Sequence, residues 1–260
     1  MILKTHIAEW SKFVPWQQSY QIEQDLILSK ALVDIYTSDK LSSKIAFRGG
    51  TALNKLYFNP SSRYSEDLDF VQISAEPIGG VVDLLKERLS WLGTPQRKFS
   101  EGRVTLTYKV LAEDGTPIKI KIEINSREHF TVLGFDDVVF TVPSAFVEGT
   151  CRVTTYKLEE LLGTKLRALY QRKKGRDLFD LYFAMTQYPN LNLSQVTECF
   201  RKYMAYTANE ISSNVLITNV ESKLQDAGFR QDIFPLLPNQ HNDYSAGVAF
   251  DTVMKLLLMV

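Results

Sequence analysis

The sequence predicts an α+β protein in which a mixed sheet with helices is followed by an all-helical C-terminal domain. In the first half of the chain, short runs that alternate apolar and polar residues lie between runs with helical spacing. From residue 155 onward the apolar residues recur almost only at helical spacing. A chain of 260 residues, 45% apolar and 23% charged, has the size and composition of one large globular domain or two small ones. We therefore predict two domains, residues 1–150 and 151–260.

The elements of the first half follow from the period of the apolar residues. Between residues 118 and 125 isoleucine occupies every second position, and Lys119, Lys121 and Glu123 lie on the opposite face, which is typical of a strand. The predicted elements are, in chain order, a helix over 21–37, a strand over 44–47, a short helix over 52–58, a strand over 67–73, a helix that opens at Pro77, and strands over 103–111, 118–125 and 138–142.

The second half is predicted to be helical. Leu158, Leu162, Leu166 and Leu169 belong to one apolar stripe of an amphipathic helix. Ser194 is a suitable N-cap for a later helix. The predicted helices cover residues 156–172, 177–185 and 194–206, and further helices extend to residue 260.

The overall composition excludes several classes of protein. Thirty basic residues balance thirty acidic ones, so bulk charge cannot drive nucleic-acid binding, although a local basic patch stays open. No apolar run approaches the roughly 18–20 residues of a membrane span, and the first residues lack the apolar core of a secretory signal. Two cysteines and three histidines form neither a disulfide framework nor a zinc pattern. We expect a reduced, cytoplasmic, soluble protein that does not contact membranes.

Asp67 and Asp69 form the first candidate site. Residues two apart on a strand project from the same face, so the two carboxylates are expected side by side. Their mutual repulsion is relieved by a cation, and Mg²⁺ prefers hard oxygen ligands together with substrate phosphates. The alternative is an exposed strand face with two solvated aspartates, because Asp-x-Asp is a common string.

A glycine turn precedes these aspartates. Gly49, Gly50 and Thr51 lie between a predicted strand and a predicted helix. Glycines let the main chain approach a ligand closely, and the N–H groups at a helix start can bind phosphate. A Gly-Gly pair alone is usually only a turn. Followed by a strand that carries Asp-x-Asp, it predicts an anion cradle next to a metal platform.

This pattern resembles the nucleotidyltransferase superfamily that shares the DNA polymerase β palm. It resembles more closely the AbiEii-type toxin nucleotidyltransferases of abortive-infection toxin–antitoxin systems and the related MenT toxins. The matching segments are residues 49–53 (GGTAL), 63–69 (RYSEDLD), 165–169 (KLRAL) and 176–181 (RDLFDL). Thr51 stands where serine is common in the wider superfamily, and the spacer before Asp67 is longer than is usual there, although it fits the closer family.

The resemblance implies a polymerase β-like palm and a role for each matching residue. Asp67 and Asp69 would hold Mg²⁺, which Mn²⁺ could replace, against the triphosphate of an NTP. Lys165 would bind the triphosphate, and Asp177 or Asp180 would orient that lysine or help to activate the acceptor. The remaining residues assigned to nucleotide binding are Arg48, Gly49, Gly50, Thr51, Arg63, Ser65 and Arg176.

Several of these assignments have an ordinary structural alternative. Glu123 is either a third catalytic carboxylate or an exposed charge opposite Lys121. Lys165 is either a phosphate ligand or a solvated helix lysine. Asp177 is either a functional carboxylate or an ordinary one that the helix dipole stabilises near the N-terminus of its helix. Arg176 could bind phosphate or pair with a nearby carboxylate. Which of Asp177 and Asp180 lies nearer the chemistry stays open.

The function implied by the resemblance is transfer of a nucleoside monophosphate from an NTP to an acceptor, either an RNA, with tRNA foremost, or a protein. The protein would be a bacterial toxin that a cognate antitoxin protein restrains. The basic run over 172–176 could guide an RNA backbone, or it could be a solvated loop. Two rival functions are transfer of only the γ-phosphate and a non-catalytic protein-binding module on the same fold.

Overall fold

The structure is a computed structural model that describes residues 2–147, 149–238 and 243–260. The chain forms two compact units. The sheet unit comprises Met1–Thr131 and Phe135–Tyr156, and the helical unit comprises Val132–Gly134 and Lys157–Val260. The boundary between the units falls after Tyr156, because residues 149–156 form a strand of the sheet unit. The short segment Val132–Gly134 joins the helical unit because the N–H groups of Val132 and Leu133 each donate to the Glu160 carboxylate at 2.8 Å.

A seven-stranded mixed sheet forms the sheet unit, which confirms the predicted α+β class. Its strands are β1 (Ile45–Arg48), β2 (Asp67–Gln72), β3 (Gln96–Ser100), β4 (Arg103–Leu111), β5 (Pro117–Asn125), β6 (Phe135–Val142) and β7 (Gly149–Tyr156). The order is β3-β4-β5-β2-β1-β7-β6. The pairs β2–β5 and β1–β7 are parallel, and the other neighbouring strands are antiparallel. As a result β2 lies at the centre of the sheet, between β1 and β5.

Among the described residues of the sheet unit there are five α-helices. They are α1 (Lys4–Trp10), α2 (Ser19–Tyr36), α3 (Asp39–Ser42), α4 (Gly49–Ala52), which continues as a π-helical turn over Leu53–Tyr57, and α5 (Gly79–Arg88). Helix α2 packs on β5 and β7 and buries most of its residues. Its buried Asp25 accepts hydrogen bonds from the indoles of Trp10 (3.0 Å) and Trp16 (3.1 Å) and pairs with Lys55 at 3.0 Å. These contacts fix the N-terminal segment and the π-helical turn to α2.

The helical unit contains α6 (Leu158–Gln171), α7 (Gly175–Gln187), α8 (Leu193–Tyr206), α9 (Ser213–Leu224), α10 (Ala227–Gln231) and α11 (Ala246–Leu257). The prediction that Ser194 caps α8 is wrong. The N-cap lies two residues earlier, where the side chain of Asn192 accepts from the N–H of Gln195 at 3.1 Å. Asparagine is as good an N-cap as serine, so the two positions compete closely. Among the helices of the described residues, none has the length and apolar character needed to cross a membrane.

Candidate active site

The candidate carboxylates lie on one face of the central strand. In β2, Leu68 and Phe70 are buried, whereas Asp67 and Asp69 are partly exposed. The parallel register with β5 places Lys121 beside Asp67 and Glu123 beside Asp69. The three carboxylates of Asp67, Asp69 and Glu123 therefore project from neighbouring positions of two paired strands.

The glycine turn lies directly against this face. Gly49 follows β1, and its φ of +81° is a conformation that side chains other than glycine rarely adopt. A Cβ atom at this position would overlap Oδ2 of Asp69. The Asp69 carboxylate therefore rests on the main chain of the turn, which brings the predicted phosphate cradle and the predicted metal platform together.

Charged neighbours compensate the carboxylates. Nζ of Lys121 lies 3.5 Å from Oδ2 of Asp67 and makes a closer ion pair with Oε1 of Glu123. Oε2 of Glu123 also lies 3.3 Å from the Arg103 guanidinium. Glu123 is thus paired with Lys121 and adjacent to Asp69, and with 17% of its side chain exposed it is not the exposed charge that one alternative expected. Its role as a third catalytic carboxylate stays a prediction.

These surroundings shift two pKa values. Burial raises the pKa of Asp67, with a further rise from the Glu123 and Glu66 charges, and the Lys121 ammonium only partly opposes it. Burial lowers the pKa of Lys121, but its hydrogen bond to Glu123 and the charge of Asp67 outweigh burial, so that pKa is raised overall. The raised pKa of Lys121 marks a position at which positive charge is favoured.

A divalent cation fits this donor set. Within the described ranges, no group of three or more His, Cys, Asp or Glu side chains is arranged as a metal site. Two aspartates suffice, however, where waters and substrate phosphates complete the shell of Mg²⁺. The Lys121 ammonium between Asp67 and Glu123 shows that these oxygens accept a cation in common. Asp67 and Asp69 are the residues that would hold the metal.

Hydrogen bonds inside the sheet unit hold the turn in place. The buried Thr51 hydroxyl donates to the carbonyl oxygen of Asp67 and lies 2.7 Å from the Ser65 hydroxyl. Asn54 donates to the carbonyl oxygen of Gly50 at 2.9 Å, and its Oδ1 accepts from the N–H groups of Ser62 and Arg63. Sequence reasoning missed Asn54, because a lone asparagine in a predicted helix carries no signal of this role.

Two of the three arginines assigned to nucleotide binding, Arg48 and Arg63, lie in the sheet unit and have partners within it. Arg48 pairs with Glu128 at 2.9 Å, and its guanidinium lies 6.0 Å from the ring centre of Tyr156. Arg63 is buried, and its Nη1 donates to the carbonyl oxygen of Tyr64 at 3.1 Å. Phosphate binding by Arg48, Arg63, Thr51 or Ser65 stays a prediction.

A second charged cluster lies in the helical unit. Nζ of Lys165 in α6 is 3.2 Å from Oδ1 of Asp177 and 2.8 Å from Oδ2 of Asp180, both in α7. All three side chains are buried, so the alternative of a solvated lysine is wrong. The guanidinium of Arg172 binds both oxygens of Asp177, at 2.6 and 2.7 Å. Burial alone would raise the pKa of Asp177, but Lys165 and Arg172 outweigh it and lower that pKa.

The basic run over 172–176 is compensated by acidic residues. Lys173 pairs with Asp226 at 2.7 Å, and Lys174 pairs with Asp232 at 3.3 Å. The guanidinium of Arg176 lies 3.9 Å from Asp232, which matches the alternative of a nearby carboxylate partner. This loop is therefore exposed but is not a patch of unpaired positive charge.

Lys223 in α9 is a further residue that sequence reasoning missed. Its buried Nζ donates to the carbonyl oxygens of Leu169 and Tyr170, the latter at 2.7 Å. These are among the carbonyls that the end of α6 leaves without a helical partner. Burial lowers the pKa of Lys223 to about 8, and the Asp177 charge opposes that shift. No pattern in the sequence separates this lysine from other lysines near helix ends.

Comparison with known proteins places the fold and the family. Among solved structures, MenT4, a nucleotidyltransferase toxin from Mycobacterium tuberculosis, has a TM-score of 0.59 at 14% identity, over 97% of this chain and 88% of its own. A provisionally assigned nucleotidyltransferase from H. pylori has a TM-score of 0.54 at 18% identity, over 94% of each chain. At these identities the likeness shows a shared fold alone. No curated protein sequence is close enough to count as a match.

A family profile gives the assignment. The profile described as nucleotidyl transferase AbiEii toxin, type IV toxin–antitoxin system, matches residues 30–255. The matched region contains the glycine turn, the β2 aspartates and the Lys165 cluster. The chain belongs to the AbiEii family of nucleotidyltransferase toxins of type IV toxin–antitoxin systems.

Proposed function

We propose that this nucleotidyltransferase moves a nucleoside monophosphate from an NTP to an RNA acceptor, with tRNA foremost, or to a protein acceptor. The observation that carries the proposal is the placement of Asp67 and Asp69 on the central strand, with the Asp69 carboxylate against Gly49. Carboxylates next to a glycine turn suit an NTP, because the carboxylates can bind the cation that accompanies its triphosphate. A protein with this activity would act as a toxin inside the cytoplasm and would need a cognate antitoxin.

The candidate site residues of the sheet unit have separate roles in the proposed reaction. Asp67 and Asp69 hold Mg²⁺, or Mn²⁺ in its place, and Glu123 adds negative charge beside them. When bound, the metal would neutralise the charge that builds on the phosphates during attack at the α-phosphorus. Gly49 lets the Asp69 carboxylate lie against the turn, and the main-chain N–H groups of Gly50 and Thr51 are assigned to the phosphates. Thr51 and Asn54 keep that turn in its shape.

The roles in the helical unit come from the family resemblance. Lys165 is assigned to the triphosphate, and Asp180, which makes its shorter ion pair, is assigned to orienting it. Asp177 also binds Arg172, so we assign it to holding the cluster together. Arg176 is the least supported of the nucleotide ligands, because Asp232 lies beside it.

Product analysis tests the proposal. The protein is incubated with Mg²⁺, total bacterial tRNA and an NTP labelled in parallel samples at the α- or the γ-phosphate. We expect the α-label to enter the acceptor and pyrophosphate to be released. Transfer of the γ-label with release of NDP would show a phosphotransferase and overturn the proposal. Nuclease and protease digestion of the labelled material then distinguishes an RNA acceptor from a protein acceptor.

A further inference from the structure

Lys121 lies among the candidate metal ligands. It occupies the β5 position paired with Asp67, and Glu123 occupies the position paired with Asp69. Its Nζ lies 3.5 Å from Asp67 and makes a closer ion pair with Glu123. One ammonium group therefore contacts two of the three carboxylates on this face.

The ammonium and a divalent cation compete for the same oxygens. A metal bound to Asp67 needs carboxylate lone pairs at about 2.0–2.1 Å for Mg²⁺, and the two positive charges would repel each other at that range. The Lys121 side chain is 36% exposed and carries its charge on a long flexible stem, so it can move toward solvent. Glu123 would keep a cationic partner after this movement, because Arg103 lies 3.3 Å from its other oxygen.

We propose that Lys121 is a positioning residue that occupies the cation position in the metal-free protein and is displaced from Asp67 when the nucleotide brings its divalent metal. This inference rests on the proposed function. It follows that Lys121 holds the carboxylates in place before substrate binds. It also weakens the binding of metal alone, so that metal binding is favoured when it arrives with a triphosphate.

Metal binding without nucleotide tests this inference. Free Mn²⁺ is measured by electron paramagnetic resonance as it is titrated into wild type, Lys121→Met and Lys121→Arg. Removing one positive charge at contact distance should tighten Mn²⁺ binding about tenfold or more in Lys121→Met. Lys121→Arg keeps the charge and should bind Mn²⁺ as weakly as wild type. Lys119→Met is the matched control, since Lys119 lies on the same strand and face but two residues away.

Thermal unfolding gives an independent readout. Without metal, Lys121→Met should melt at a lower temperature than Lys119→Met, because its carboxylates lose their cation. Added Mn²⁺ should raise the melting temperature of Lys121→Met more than that of wild type. Equal Mn²⁺ affinity in wild type and Lys121→Met would overturn the inference, and so would a failure of both to bind.

A double variant separates this inference from the proposed function. If Asp67→Asn with Asp69→Asn abolishes Mn²⁺ binding while Lys121→Met leaves it unchanged, only the role of Lys121 is wrong. If the double variant binds Mn²⁺ as wild type does, the metal site of the proposed function is wrong as well.

Discussion

At the scale of single residues, Gly49 couples the main chain to the chemistry. This position requires glycine for two separate reasons: its φ is positive, and a Cβ atom would overlap the Asp69 side chain. A side chain would strain the backbone because of the positive φ. It would also displace the Asp69 carboxylate, and a displacement of about 1 Å can cost on the order of 100-fold in rate.

A pair of glycine variants separates these two effects. Gly49→Ala and Gly115→Ala impose similar strain, because φ at Gly115 is +83°, but a Cβ at Gly115 meets nothing within 4 Å. Each should lose about 1–2 kcal/mol of stability from strain. Only Gly49→Ala should also lose transfer activity, by on the order of 100-fold. Denaturant unfolding and a transfer assay on both proteins check this, and equal activity in the two would contradict it.

At the scale of elements, Asn54 connects the start of α4 to the loop that leads into β2. Asn54 is buried, its amide nitrogen donates to the carbonyl oxygen of Gly50, and its amide oxygen accepts from the N–H groups of Ser62 and Arg63. Asn54→Ala should lose about 2–3 kcal/mol of unfolding free energy, since buried main-chain groups lose their partners. Asn54→Asp keeps the acceptor for Ser62 and Arg63 and should lose less. If Asn54→Ala unfolds at the same urea concentration as wild type, the connection has no energetic importance.

Lys223 links α9 to the end of α6, and its contribution depends on pH. Its pKa is about 8 in the folded protein and near the ordinary value of 10.5 in the unfolded chain. Between these values the unfolded chain binds more protons, so the stability that depends on Lys223 rises with pH. The neutral amine keeps N–H groups for the two carbonyls.

Comparison with Lys223→Met isolates this dependence. The difference in urea midpoint between wild type and Lys223→Met should shift in favour of wild type between pH about 7 and about 10. Other titrating groups are common to both proteins and cancel in the difference. A difference that stays constant, or that moves toward Lys223→Met, would show that Lys223 does not titrate in this window.

How far the elements can be predicted depends on their exposure pattern. Strands β2 and β5 were predictable because one face of each is buried, which gives a period of two. All five residues of β3 are exposed, and this strand pairs only with β4, so no alternation marks it. Strand β7 was missed because its last residues merge with the apolar spacing of α6.

The residues of the candidate site also differ in how far the sequence predicts them. Asp67, Asp69 and Glu123 are predictable because local alternation fixes the face of each side chain. The contacts of Asn54, Lys121 and Lys223 depend on hydrogen bonds and ion pairs between segments distant in sequence. No local period records those contacts, so they became visible only once the strands and helices were assembled.

At the scale of the whole molecule, net charge is zero, and the one basic run in the sequence, over 172–176, is compensated by acidic side chains. Neither the net charge nor this run therefore supplies unpaired positive charge for the backbone of an RNA acceptor. Binding of an unrelated RNA should weaken by less than about tenfold between 50 and 200 mM salt, whereas 6–10 phosphate contacts would give about 10³–10⁵-fold.

Neutralising the acidic partners provides the control. Asp226→Asn together with Asp232→Asn leaves the lysines uncompensated and should steepen the salt dependence of RNA binding. A steep dependence already present in wild type would contradict the view that this loop is electrostatically compensated.

The most direct test of the central claim measures transfer from an α-labelled NTP to tRNA or protein in wild type and in Asp69→Asn. This substitution keeps the size of the side chain and removes the charge that would hold the metal. We expect a loss of at least ~100-fold, the scale of removing one key electrostatic group. We also expect that Asp83→Asn, which alters an exposed carboxylate on α5, retains wild-type transfer. Equal transfer by wild type and Asp69→Asn would contradict the assignment of this strand as the catalytic centre.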